Sequence, residues 1–369
     1  IKKRKILRKE NFRNIAIIAH VDHGKTTLVD GLLKQSGTFQ DHQEIEDRVM
    51  DSMDLEKERG ITITAKNTAI NYNDIKINIM DTPGHADFGG EVERSLNLVD
   101  GALLLVDSSE GPLPQTRFVL KKALEKDLPI ILVINKIDRA DSRIEEVIDE
   151  VYDLFIDLDA NENQIEFPII YTNAKSGIAH TSLDKESKNL EPLFETILSE
   201  IKGPLADDNK EAQFLITSLD YDSYVGQIAI GRLTSGKLKM SENYALCAED
   251  KIEHNHKFSA LYTFEGLKRV QVDEVEAGDI IAIAGIDGLT IGDTISDNEV
   301  PSALPRIMVD EPTVSMLFYV NDSPFAGKEG KYLTTRHLKE RLQKEILSNV
   351  SIQVADTQRT DVFEVRGRG

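Results

Sequence analysis

The chain has 369 residues, 40% of them hydrophobic and 29% charged, with 23 Gly and 11 Pro; this is a globular composition, long enough for two or three domains of about 100 to 200 residues. With 44 Lys and Arg against 64 Asp and Glu, the formal charge is -20 and the pI is near 4.9, which excludes a uniformly basic nucleic-acid-binding surface and confines any RNA contact to local patches. The single Cys247 cannot form an internal disulfide, as expected of a reducing compartment, and the longest apolar stretches (102–106 and 129–134) reach about a third of the roughly 18 residues that span a bilayer.

The first thirteen residues carry Lys2, Lys3, Arg4, Lys5, Arg8, Lys9 and Arg13 against Glu10 alone, with no apolar signal core. Residues 1–13 read as a basic tail, either solvated or anchored on a phosphate backbone. Apolar runs at 15–19, 75–80, 102–106, 130–135 and 169–172 then predict strands too uniformly apolar to have a wet face. They suit a mainly parallel sheet covered by helices on both sides, an α/β nucleotide-binding architecture. Between two of them, residues 141–158 repeat Ile144, Val147, Val151, Phe155 and Leu158 at helical spacing, with an acidic outer face. After residue 204, short β-type runs (214–217, 227–233, 280–284) alternate with turn signals and predict a small β-barrel over 205–303. Residues 304–369 read as strand, helix, strand, strand, most of a split βαβ unit. Because the sequence starts at Ile1 and stops before that unit closes, a fragment of a longer protein is expected.

Directly after the first strand of the sheet, residues 19–26 read A-H-V-D-H-G-K-T, a P-loop with Ala in place of its first Gly. Gly24 lets backbone N–H groups wrap a phosphate, Lys25 neutralises its oxygens, Thr26 offers a hydroxyl to Mg²⁺, and the next helix turns its positive end to the anion. Residues 81–85, D-T-P-G-H, follow the 75–80 strand; Asp81 is placed for the Mg²⁺ shell and the Gly84 N–H for the γ-phosphate. Asn135, Lys136, Ile137 and Asp138 end another strand. A carboxylate there accepts both the N1–H and N2–H₂ donors of guanine, which adenine lacks, so the site selects GTP over ATP. Asn173, Ala174 and Lys175 end the last strand, where backbone N–H groups meet the guanine O6. In the segment 58–63, E-R-G-I-T-I, Thr62 is placed to cap Mg²⁺ while γ-phosphate is present, a switch of order and release.

Taken together, A-H-V-D-H-G-K-T-T-L, R-G-I-T-I, D-T-P-G-H-A-D-F and N-K-I-D resemble a translational GTPase. L-D-Y-D-S-Y-V-G (219–226), D-E-P-T-V-S-M (310–316) and S-P-F-A-G-K-E-G (323–330) resemble the BipA/TypA branch rather than elongation factor G or LepA. The resemblance implies a P-loop G domain over 14–204, a translation-factor β-barrel over 205–303 and a truncated ferredoxin-like α+β domain over 304–369. It implies nucleotide contacts from Asp22, His23, Gly24, Lys25, Thr26 and Thr27, His85 as the catalytic residue, and Val21 and Ile61 as a hydrophobic gate. Asp22 would hold a monovalent cation near the phosphates. The implied activity is hydrolysis of GTP to GDP and phosphate on the ribosome, in large-subunit assembly and stress adaptation. The implied partner is rRNA of the large subunit near the sarcin–ricin loop, with tRNA a further candidate. A cytoplasmic monomer without membrane contact is expected, with an organelle stroma or matrix left open. Two other readings stay open: a sensor of guanine nucleotides or ppGpp with incidental hydrolysis, and an elongation-factor-like translocase.

Outside these motifs, Lys331, Arg336, Lys339 and Arg341 are candidates to face RNA despite the acidic total. His254 and His256 read as an ordinary exposed turn, Cys247 as a small core residue, and His20 and His23 as residues whose backbone matters more than their imidazoles.

Overall fold

The computed structural model describes residues 7–37, 65–83, 89–185, 187–222, 224–307, 312–321, 323–328, 332, 334–348 and 352–367; Ile61, Thr62, Gly84, His85 and Lys331 lie outside them. The chain groups into two compact units, one of Ile1–Ala212, Arg232–Leu238 and Tyr262–Ile281, the other of Gln213–Gly231, Lys239–Leu261 and Ala282–Gly369.

The first unit runs β1 (Leu7–Arg8), β2 (Phe12–Ala19), α1 (Lys25–Gln35), β3 (Lys66–Tyr72), β4 (Ile75–Asp81), α2 (Gly89–Leu96), β5 (Gly101–Asp107), α3 (Pro114–Glu125), β6 (Ile130–Asn135), α4 (Ile144–Asp157), α5 (Glu162–Ile165), β7 (Ile169–Asn173), β8 (Ile178–His180), α6 (Glu191–Glu200) and β9 (Leu205–Ala206). Its main sheet has the order β3-β4-β2-β5-β6-β7-β8. The five central strands are parallel, and β2, β5 and β6 are buried throughout as such a sheet demands, while β3 and β8 pair antiparallel at the two edges. Ile15, Ile17, Leu103, Leu105, Ile131 and Val133 of the sheet pack with Leu28 and Leu32 of α1 and Phe194 and Ile197 of α6, each fully buried side chain contributing about 1.5–3 kcal/mol. The expected 141–158 helix is α4, with Val147, Val151 and Phe155 buried and Asp149 and Asp153 facing out. The β3–β4 hairpin is absent from the sequence-based elements. Its turn is Asn73-Asp74 with φ of 49° and 62°, the left-handed pair of a type I′ turn.

Residues 7–13 are not the free end of a basic tail. β1 pairs antiparallel with β9, and the Arg8 guanidinium donates to Gly203 O at 3.0 Å. Lys9 Nζ pairs with Asp208 and, at 2.9 Å, with Glu276. Arg13 is buried against the carbonyls of Glu10 and Phe12. Lys9, one cation of that run, finds its carboxylates 199 and 267 residues away.

The β-rich stretch supplies β10 (Gln213–Asp222), β11 (Gly226–Ser235), β12 (Lys237–Lys239), β13 (Tyr244–Cys247), β14 (Ile252–His256), β15 (Ala260–Glu265), β16 (Lys268–Gln271), β17 (Glu274–Glu276), β18 (Ile280–Ala284) and β19 (Thr294–Asp297). Within the first unit, residues of this stretch meet the N-terminal ends of the central strands through a buried polar chain. Asp279, 5% exposed, accepts from Lys76 Nζ at 2.7 and 2.9 Å, Asn78 Nδ2 at 3.0 Å and Thr263 Oγ1 at 3.0 Å. Asn78 Nδ2 also donates to Asn14 Oδ1 (2.8 Å), Asn14 Nδ2 to Asp100 (2.9 Å) and Gly278 O (3.0 Å), and Arg232 to Asp100 (2.8 Å).

In the second unit β14, β13, β19 and β10 lie side by side. His254 and His256 are in strand β14 rather than a turn, with His254 Nδ1 3.0 Å from Asn298 O and His256 Nε2 3.4 Å from Glu253. Cys247 is buried as expected, and that burial pushes its thiol pKa up. The C-terminal part forms β20 (Val314–Tyr319), α7 (Thr335–Ser348), β21 (Gln353–Asp356) and β22 (Val362–Gly367). β22 lies between β20 and β21 and is antiparallel to both, so α7 joins two parallel strands in the predicted split βαβ. Three basic residues of α7 pair within this domain: Arg336 with Glu340 (2.7 Å), Arg341 with Glu345 (2.6 Å) and Lys339 with Asp356 (3.4 Å).

Candidate functional site

The described motif residues converge at the C-terminal ends of the parallel strands, just after β2, β4, β6 and β7, with the residues after β5 beside them. This is where an α/β sheet of this kind takes its ligand. After β2 the chain turns through Val21 and the exposed Asp22, held at φ 66°, to Gly24 at φ 95°, which caps α1. A Cβ on Gly24 would lie 2.4 Å from Asn135 Nδ2, so close approach and left-handed backbone both require glycine. Lys25, the first residue of α1, directs Nζ to Thr82 O (2.7 Å) and Asp81 Oδ1 (2.6 Å). Thr26 is half-buried and Thr27 exposed. Asp81 is 1% exposed at the end of β4, and Thr82 Oγ1 donates to Ile17 O at 2.8 Å. The hydroxyl of Thr26 and the carboxylate of Asp81 are hard oxygen donors of the kind Mg²⁺ takes alongside phosphate and water. Among the described residues no group of three His, Cys, Asp or Glu gathers to bind a metal by itself.

Asn135, 1% exposed, joins three segments. Its Nδ2 donates to His23 O (2.8 Å) in the P-loop, and its Oδ1 accepts from Thr172 Oγ1 and from Ala174 N, both at 3.0 Å. The loop after β7 is thereby fixed to the P-loop. Asn173 Oδ1 turns this loop back by accepting from Ser176 N (3.1 Å), and Lys175 is exposed. Lys136 has φ 61°, Ile137 N donates to Thr172 O at 3.3 Å, and Asp138 is exposed.

The His23 imidazole is fully buried, with Nδ1 3.3 Å from Leu105 O, Nε2 3.6 Å from Glu110, and its ring 5.3 Å from that of His20. Burial pushes its pKa below the usual 6.5, against the opposing pull of Leu105 O and Glu110. The loop after β5 is a part of the site that the motifs do not show. Burial alone would raise the Asp107 pKa, but hydrogen bonds from Lys136 and Ser109 outweigh it and hold the carboxyl far below the usual range.

A model of the elongation factor Tu GTP binding domain matches residues 10–203, and one of elongation factor Tu domain 2 matches residues 226–296. The chain is 52% identical over 361 residues to a protein of Bacillus subtilis (strain 168) named large ribosomal subunit assembly factor BipA, covering 98% of this chain and 59% of that one. A Synechocystis protein of the same name is 53% identical over 357 residues, 97% of this chain and 60% of its own. The chain belongs to the BipA/TypA family of translational GTPases. It spans about three fifths of the length of these BipA relatives. A crystal structure of a Thermus thermophilus protein has the same fold, with a TM-score of 0.71 at 18% identity over 98% of this chain and 64% of that one. The nucleotide motifs of the family lie in the matched GTP-binding domain, and the β-rich stretch that follows corresponds to the second elongation factor Tu domain.

Proposed function

We propose that this chain is the nucleotide-binding part of a ribosome-associated GTPase that hydrolyses GTP to GDP and phosphate and acts in large-subunit assembly and stress adaptation. The observation that carries the reading is Asn135, which ties the phosphate-binding loop to the base-binding loop in the matched GTP-binding domain. Lys25, Gly24 and the backbone of residues 22–27 hold the phosphates. Asp138 selects guanine, and residues 173–175 meet its O6. Thr26, Asp81 and Thr62 hold Mg²⁺, which neutralises charge on the phosphates when bound. His85, behind a gate of Val21 and Ile61, orients the attacking water, and Gly84 senses the γ-phosphate. Asp22 holds a monovalent cation. The G domain covers 14–204, the barrel 205–303 and the ferredoxin-like domain 304–369. The relatives' name supports the large ribosomal subunit as partner. The GTP form docks on its rRNA in the cytoplasm, and hydrolysis releases it.

The test is GTP turnover by the full-length protein with and without ribosomes, beside His85→Ala. Stimulation lost in the variant, with GDP binding intact, is the expected result. Tight guanine-nucleotide binding without stimulation would overturn the reading in favour of a nucleotide sensor.

A further inference from the structure

Asp107 ends β5 and Ser108 follows it, outside every nucleotide motif, and both are fully buried. Ser108 N donates to Asn135 O at 2.9 Å and Ser108 Oγ to Lys136 O at 2.9 Å, while Arg143 N donates to Ser108 O at 2.9 Å. Asp107 Oδ2 holds Lys136 Nζ at 2.8 Å and the Arg139 guanidinium at 3.3 Å. The other oxygen, Oδ1, accepts from Ser109 N and Ser109 Oγ at 2.8 Å and Glu110 N at 3.3 Å, so the carboxylate is fixed from behind. Lys136 sits at φ 61°, a conformation that a side-chain-bearing residue keeps only when its surroundings impose it. Asp138 is exposed and lies between Lys136 and Arg139, the two residues that Asp107 grips.

A carboxylate that must accept two donors from one edge of a base tolerates little angular error, so whatever fixes its loop also sets selectivity. We infer that Asp107 and Ser108 are positioning residues that set how Asp138 meets the guanine base. This rests on the reading of Asp138 as the guanine acceptor. Neither residue touches the nucleotide; each acts through the backbone and side chains of residues 135–139.

The comparison of GDP with inosine diphosphate tests it, because the second ligand lacks only the 2-amino donor. Competition against a fluorescent GDP analogue on the full-length protein gives both affinities. The unsubstituted protein is expected to prefer GDP by about tenfold or more, as for a charge-assisted hydrogen bond. Asp107→Asn and Ser108→Ala are each expected to lower that preference about threefold or more, with the GDP to GTP affinity ratio unchanged because the phosphate contacts are not altered. Ser108→Ala removes one hydroxyl and keeps the test open if Asp107→Asn fails to fold. A purely structural role would weaken GDP and inosine diphosphate equally; an unchanged preference in a folded Ser108→Ala and in any folded Asp107→Asn would overturn the inference. No preference in the unsubstituted protein would instead overturn the assignment of Asp138.

Discussion

Replacing Asn135 by Ala isolates the link between the phosphate and base loops. The substitution removes one donor and one acceptor atom that make three hydrogen bonds of 2.8–3.0 Å. Thr172 Oγ1 keeps a second acceptor in Ile134 O at 3.4 Å, which leaves His23 O and the buried Ala174 N without their side-chain partner. At about 1–3 kcal/mol for each stranded group the total is about 2–6 kcal/mol. Even the lower figure, if it falls on nucleotide binding, weakens GDP about 30-fold, at about 1.4 kcal/mol per factor of ten. The remainder appears as lost stability, because the same bonds hold two loops of the ligand-free fold. Fluorescent GDP titration and urea unfolding of the full-length protein read the two parts separately. Asn135→Asp keeps the acceptor but sets an oxygen against His23 O, so it should be no milder than Asn135→Ala. A GDP affinity within threefold of the unsubstituted protein, together with an unchanged unfolding midpoint, would refute the claim that this side chain organises the site.

Asp279→Ala leaves Lys76 and Asn78 without their shared acceptor and should destabilise the protein by about 3–5 kcal/mol, the usual cost of breaking a buried ion pair. Asp157→Ala, at the exposed pair with Arg117, should cost under about 1 kcal/mol; equal unfolding midpoints for the two variants would sink the distinction. Burial lowers the His23 pKa and favours its neutral form, so its contribution is complete above about pH 6.5 and declines as pH falls below that value, by at most about 1.4 kcal/mol per pH unit. Urea midpoints from pH 7.5 to 5.5 should fall less steeply for His23→Gln than for the unsubstituted protein, and parallel curves would show that His23 does not carry the effect.

The central strands were legible because burial on both faces leaves an unbroken apolar run, as in β5 and β6. β3 was not, because K-N-T-A-I-N-Y opens on three polar residues and its apolar run is only Ala69-Ile70; the Asn73-Asp74 pair was the signal available. Lys25, Asp81 and Asn135 were legible because phosphate and guanine chemistry fixes residue types at short spacing. Asp107 and Ser108 escaped because their partners lie about thirty residues on and no ligand chemistry dictates them. Lys9 was misjudged for a related reason: charge in a sequence does not show its counter-ion. The i, i+4 pairs on α7 were readable in principle, whereas Asp208 and Glu276 were beyond any local pattern.

The polar chain from Asp279 through Asn78 and Asn14 to Asp100 and Arg232 bears on how this protein can be divided for experiment. A fragment ending at residue 204 would keep every nucleotide motif yet present Asn14, Asn78 and Lys76 to solvent at the base of β2 and β4, with the bonds from residues 232, 263, 278 and 279 removed. The same two strands end in the P-loop and Asp81, so disturbance at their base reaches the phosphate site along rigid backbone. Chimeras with a relative's barrel therefore need an aspartate at the 279 position and an arginine at 232 to accept this sheet, and nucleotide affinities measured on the excised piece would describe a different molecule.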